Sequence, residues 1–152
     1  MKLYLGSDHA GYELKEAIKK KLKVSDLTPL FDPADDYPDA AAKVARAVAK
    51  QKAKGVLICG NGAGVCIAAN KIKGIRAVVV QNNAMAKLAR LHDDANIICM
   101  AGGKQKDPIA RKATKTTTSA EAVHFIKTWL NTKPSMEERH IRRRKKIAAL
   151  ER

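Results

Sequence analysis

From Leu3 to Leu130, short apolar runs alternate with longer stretches whose apolar residues recur at helical spacing, a pattern few folds can satisfy. Leu3-Tyr4-Leu5-Gly6 reads as a buried strand, and Ala10 to Leu22 as a helix with Leu14, Ala17, Ile18 and Leu22 on one face. Leu27 to Phe31 is predicted as a second strand, after which Asp32-Pro33 and Tyr37-Pro38 punctuate a loop. Asp39 to Ala53 reads as a helix. Gly55-Val56-Leu57-Ile58-Cys59 is the clearest central strand, and its glycine-rich turn leads into a helix from Val65 to Ile72. Arg76 to Val80 (strand), Asn83 to Leu91 (helix), Asn96 to Met100 (strand) and Ala120 to Leu130 (helix) complete the alternation, and Glu137 to Arg152 reads as a basic helix. Strands that are apolar on both faces and separated by helices imply a parallel sheet covered on both sides. The fold expected is α/β: a single three-layer α/β/α domain over residues 1–152, with a five-stranded, Rossmann-like parallel sheet.

Composition narrows the function classes. No apolar run reaches membrane-spanning length and the N-terminus lacks a signal-peptide layout, so a soluble, cytoplasmic chain with no membrane partner is predicted. Cys59, Cys66 and Cys99 show no zinc-type spacing, which points away from a disulfide frame and from a metal site. A net charge of +15 invites a nucleic-acid reading, but with only 4% aromatics there is little to stack on bases. The excess is concentrated in Lys104 to Lys115 and Arg139 to Arg152, and the simpler reading is a solvated basic surface.

In doubly wound folds, ligands bind beyond the carboxyl ends of the strands. Three such ends carry reactive groups: Asp8-His9, Cys59, and Gly102-Gly103-Lys104. The turn Cys59-Gly60-Asn61-Gly62-Ala63-Gly64 can fold tightly and turn its N–H groups into one concavity, able to hold an anion or a developing oxyanion. Such surroundings favour the thiolate form of a neighbouring cysteine, making Cys59 a candidate base. The same turn also fits a tight β-α connection beside an inert cysteine. His92 suits general acid–base work or a helix-end hydrogen bond. Asp8 and His9 are either ligands or a helix entry. Arg139 and Arg143 are four apart, so on a helix they share a face and can clamp a phosphate. No cofactor is expected: the acidic ribose ligand of a dinucleotide site is missing, since Lys71 to Asn83 holds no Asp or Glu.

Taken in order, Asp8-His9-Ala10-Gly11, Tyr37-Pro38, the Cys59–Gly64 turn, Ala68-Ala69-Asn70-Lys71, Gly74-Ile75-Arg76-Ala77, His92 with Asn96, and Arg139-His140 with Arg143 resemble the ribose-5-phosphate isomerase B family, which includes the galactose-6-phosphate isomerase subunits. The resemblance runs from Leu3 to about Glu151 apart from one insertion. It implies an aldose–ketose isomerase that moves a proton between C1 and C2 of a sugar phosphate through an enediolate. Cys59 then stands at the base position, Asn61 and Gly60, Gly62 and Gly64 around the enediolate oxygen, and His92 at the ring-opening position. Some relatives place a glutamate base where this chain has Ala63. Asp8, Tyr37 and Asp93 fall at substrate-binding positions, and His9 at a phosphate-binding one. Arg139 and Arg143 fall where relatives reach into the site of a neighbouring subunit. A homodimer with shared active sites, or a tetramer made of two such dimers, is therefore implied.

The chain departs from that pattern in places. Asp93 replaces an asparagine that most relatives carry, and Gly103 replaces a phosphate-binding arginine that the adjacent Lys104, or Arg111 in the loop that follows, is expected to stand in for. Residues 104–117 read as a basic inserted loop, and the loop from Phe31 to Tyr37 is shorter than usual. Other readings are a six-carbon substrate (allose or galactose 6-phosphate), a paralogue without activity, and a basic nucleotide- or RNA-binding module on the same fold.

Overall fold

The computed structural model describes residues 2–103 and 107–151. Five parallel strands, β1 (Leu3–Ser7), β2 (Ser25–Asp26), β3 (Lys54–Cys59), β4 (Ala77–Val79) and β5 (Ile97–Ala101), form one sheet in the order β2-β1-β3-β5-β4. The helices are α1 (Tyr12–Lys19), α2 (Tyr37–Gln51), α3 (Ala63–Ala69), α4 (Asn83–Leu91), α5 (Pro108–Ala113), α6 (Ser119–Asn131) and α7 (Glu138–Ala149).

Strand alternation sends side chains to two separate cores. Val56 and Ile58 of β3, with Ile98 and Met100 of β5, pack with α1, α4 and α6 through Ile18, Ala86, Ile126 and Trp129. Leu57 and Cys59, with Ile97 and Cys99, pack on the other face against α2 and α3 through Val44, Val48, Val65 and Ala69. Trp129 also donates its indole N–H to Ala95 O at 3.1 Å, satisfying its one polar atom inside the core. The three-layer parallel architecture expected from the alternation is the one observed.

Several local expectations are corrected. The second strand is not Leu27 to Phe31 but the two residues before it, with Leu30 83% and Phe31 56% exposed. Lys15 and Lys19 of α1 hold Asp26 at 3.0 and 2.8 Å, so an ion-pair cluster rather than apolar burial seats this edge strand. The first helix starts later than Ala10, because His9–Gly11 forms a separate 3₁₀ turn. Tyr37-Pro38 opens α2 instead of closing a loop: proline at the first helical positions loses no hydrogen bond. Likewise, within the inserted segment Asp107 caps α5, accepting from the N–H groups of Ile109 and Ala110, where a loop was expected.

Candidate active site

The carboxyl ends of β1, β3 and β5 are knitted together by close backbone contacts. Gly102 donates its N–H to Cys59 O at 2.7 Å and Gly103 donates to Gly60 O at 3.1 Å. A Cβ on Gly11 would lie 2.6 Å from Ile58 O, and one on Gly102 would lie 2.6 Å from Ala10 O. The Asp8–Gly11 turn and the Cys59–Gly64 turn are therefore neighbours because glycine lets their backbones touch.

Cys59 ends β3, only 4% exposed, with the Gly62 N–H donating to its sulfur at 3.2 Å. Gly62 reaches that position with φ at +81°, a conformation that disfavours any side chain. Asn61 places its Oδ1 4.0 Å from the sulfur and accepts the Ala63 N–H at 2.9 Å. Two of the turn's amides are thus already committed, one to the thiol and one to the Asn61 side chain. Tyr37, the first residue of α2, lays its ring on the same turn, 2.8 Å from where a Gly64 Cβ would stand. Gly60, Gly62, Gly64, Asn61, Tyr37 and Cys59 thus form one wall.

Asp8 and His9 form the adjoining wall. Asp8 accepts the Gly11 N–H at 3.0 Å, so it does cap the turn, and burial raises its carboxyl above the usual range against that hydrogen bond. His9 is tied to Asp35, whose Oδ1 lies 2.8 Å from both the His9 backbone N and its Nδ1. The Asp35 hydrogen bond raises the proton affinity of His9 and partial burial opposes it. Sequence reading missed Asp35. It stands 26 residues from His9 in an aspartate-rich loop, and no spacing rule links the two.

His92, Asp93, Arg139 and Arg143 lie elsewhere. α4 runs antiparallel to the strands, from Asn82 just past the end of β4 to His92 just before β5, which puts His92 and Asp93 at the amino edge of the sheet. There α7 joins them. His92 stacks on His140 with ring centroids 4.3 Å apart, and Arg144 donates to His92 O at 3.1 Å and Ser135 O at 3.0 Å. Arg144, expected to be part of a solvated charge run, is instead the clamp that docks the helix. His140 is buried, which lowers its proton affinity along with the nearby His92, Arg139 and Arg143. Arg139 and Arg143 are exposed, and Arg139 pairs with Glu137 at 2.7 Å. Within one chain the candidate residues therefore fall into two groups at opposite edges of the sheet.

Lys104 lies outside the described residues. Gly103 has φ at +83°, and a Cβ there would collide with the Thr116 side chain, so an arginine at this position would not fit. Among the described residues no group of three or more His, Cys, Asp or Glu is placed to hold a metal ion, and no helix is long and apolar enough to cross a membrane.

Comparison with known proteins adds the family. Residues 3–147 match the model of the family described as Ribose/Galactose Isomerase. The probable ribose-5-phosphate isomerase B of Mycoplasma pneumoniae is 50% identical over 106 residues, covering 65% of this chain and 70% of that protein. Ribose-5-phosphate isomerase B of Mycobacterium tuberculosis is 36% identical over 159 residues, 100% of this chain and 91% of that one. The crystal structure of the Mycoplasma genitalium ribose-5-phosphate isomerase B with bound ribulose-5-phosphate aligns with a TM-score of 0.83 at 38% identity, over 99% of this chain and 95% of the other.

Proposed function

Since the chain belongs to the ribose/galactose isomerase family, we propose that it is an aldose–ketose isomerase interconverting ribose 5-phosphate and ribulose 5-phosphate, with Cys59 as the proton-transferring base. The observation that carries the mechanism is the Gly62 N–H aimed at the Cys59 sulfur. The deprotonated sulfur is the form able to take a proton from carbon, and the N–H held on that atom is placed to donate to it. The thiolate removes the proton at C2 of the open-chain aldose, leaving a cis-enediolate, and returns it to C1, while the hydroxyl hydrogen passes from O2 to O1, to give the ketose. Asn61 sits beside the sulfur, and its side-chain NH2, with turn amides other than those of Gly62 and Ala63, would donate to the enediolate oxygen. Ala63 brings no carboxylate to the turn, which supports the cysteine as base.

The other half of the chemistry comes from a second chain. His92, Asp93, Arg139 and Arg143 are gathered at the edge of the sheet opposite Cys59, so a homodimer that sets this edge of one chain, with the end of α4 and α7, against the carboxyl edge of the other brings them to Cys59. His92 then serves ring opening as acid and base, and Arg139 and Arg143 join His9 around the phosphate. Asp8 and Tyr37 line the sugar between the two halves.

A coupled assay against pentose and hexose phosphates tests the substrate, and Cys59→Ala tests the base. We expect ribose 5-phosphate to be the preferred aldose, and the variant to lose about a thousandfold in kcat while still binding substrate. Wild-type turnover of none of the panel, or near-normal turnover in Cys59→Ala, would contradict the proposal.

A further inference from the structure

We infer that Asp35 is a positioning residue for the phosphate: by receiving both the main-chain N–H and the Nδ1–H of His9, it leaves the Nε2–H edge of that ring to meet an anionic group of the substrate. The inference rests on the proposed reading of the carboxyl edge as a sugar-phosphate site. Its geometry is specific to this loop. Asp35 Oδ1 stands 2.8 Å from the His9 backbone N and 2.8 Å from Nδ1, so a single oxygen closes a ring through the histidine's own Cα and Cβ. A carboxylate only accepts, so Nδ1 carries a hydrogen, and Nε2 carries one as well, and can donate to phosphate, when the ring is the imidazolium. Asp32 in turn shapes the loop that presents Asp35, accepting the Ala34 N–H at 2.9 Å.

Charge follows from the same contact. Two carboxyl groups face His9, Asp35 from the loop and Asp8 from the preceding residue, and both favour the imidazolium over the neutral ring. Partial burial works the other way and is outweighed. A histidine held as a cation by a buttressing carboxylate donates a charge-assisted hydrogen bond to phosphate, stronger than a neutral ring gives. Because the contact proposed for the ring is with the phosphate and not with the carbons that exchange the proton, the effect falls on substrate affinity. It is largest on the alkaline side of neutrality, where an unsupported histidine has already lost its proton.

The test uses Asp35→Asn, which keeps an acceptor oxygen while removing the charge, and Asp35→Glu as the conservative control. We expect the His9 ring titration, followed by NMR, to move to lower pH in Asp35→Asn and back towards wild type in Asp35→Glu. KM for ribose 5-phosphate at pH 8 should rise about tenfold in Asp35→Asn with kcat within about twofold, and the gap should narrow at pH 6. The His9 resonances should also respond to added inorganic phosphate less in Asp35→Asn than in wild type, a readout that holds even if no sugar phosphate is turned over. An unmoved His9 titration, an unchanged phosphate response, or a loss confined to kcat would each overturn the inference. Absence of turnover in the wild type would instead count against the isomerase reading.

Discussion

Lys54 opens β3, and its Nζ lies 5.9 Å from the centroid of the Trp129 ring on α6. The residue is only 8% exposed, and burial, with like charge from Arg76 and Arg90, lowers its ammonium to about 8. A lowered value in the folded state means the protonated amine is disfavoured there. The cost is fully present below about 8 and fades as pH climbs to the ordinary 10.5, where the unfolded chain also carries a neutral amine. Lys54→Met should therefore stabilise the fold at pH 6–7, by on the order of 2 kcal/mol, and the gain should shrink above pH 8. Thermal unfolding across that range checks it, and a gain independent of pH would show that packing rather than charge is responsible. Other single residues could be read only from the fold. The Cys59 turn, His9 and the arginine pair were legible as motifs, whereas Asp35 acts through a contact between loops that nothing in the linear sequence announces.

Among the elements, α7 shows most clearly where sequence reading stops. Its basic run looks uniform, yet His140 and Arg144 are four apart and so share the stripe that packs, while Arg139 and Arg143 share a neighbouring stripe that stays exposed. The two residues that anchor that stripe, His140 and Arg144, are not apolar, so hydrophobic periodicity could not reveal them. Arg144 closes the contact by donating to His92 O and Ser135 O. Arg144→Ala should cost about 1–2 kcal/mol and speed amide exchange across α7, whereas Arg142→Ala should change little. Equal exchange in the two variants would mean that the clamp does not hold the helix. The strands tell the opposite story. β1, β3 and β5 were legible because runs buried on both faces have few alternatives, while β2 was not, since Lys15 and Lys19 anchor it through Asp26 rather than through its apolar neighbours. Prolines misled twice in the same way: Pro38 and Pro108 mark helix starts where a loop was expected.

At the scale of the whole molecule, the parallel sheet separates the candidate residues into two groups at opposite edges. Cys59, Asn61, Asp8, His9 and Tyr37 sit at the carboxyl edge; His92, Asp93, Arg139 and Arg143 gather with α7 at the amino edge. The order of motifs in the sequence allowed the family to be read, but not this division, because chain order does not say at which end of a strand a residue falls until the helices are laid antiparallel to the sheet. If two chains share each site, defects in different halves must complement one another. Cys59→Ala and Arg139→Ala chains, each inactive alone, should be unfolded, mixed and refolded together, and mixed dimers confirmed by mass. Such a mixture should recover about a quarter of wild-type turnover, because half of the dimers are mixed and each of these holds one intact site. Confirmed mixed dimers with no recovered activity would contradict the shared site.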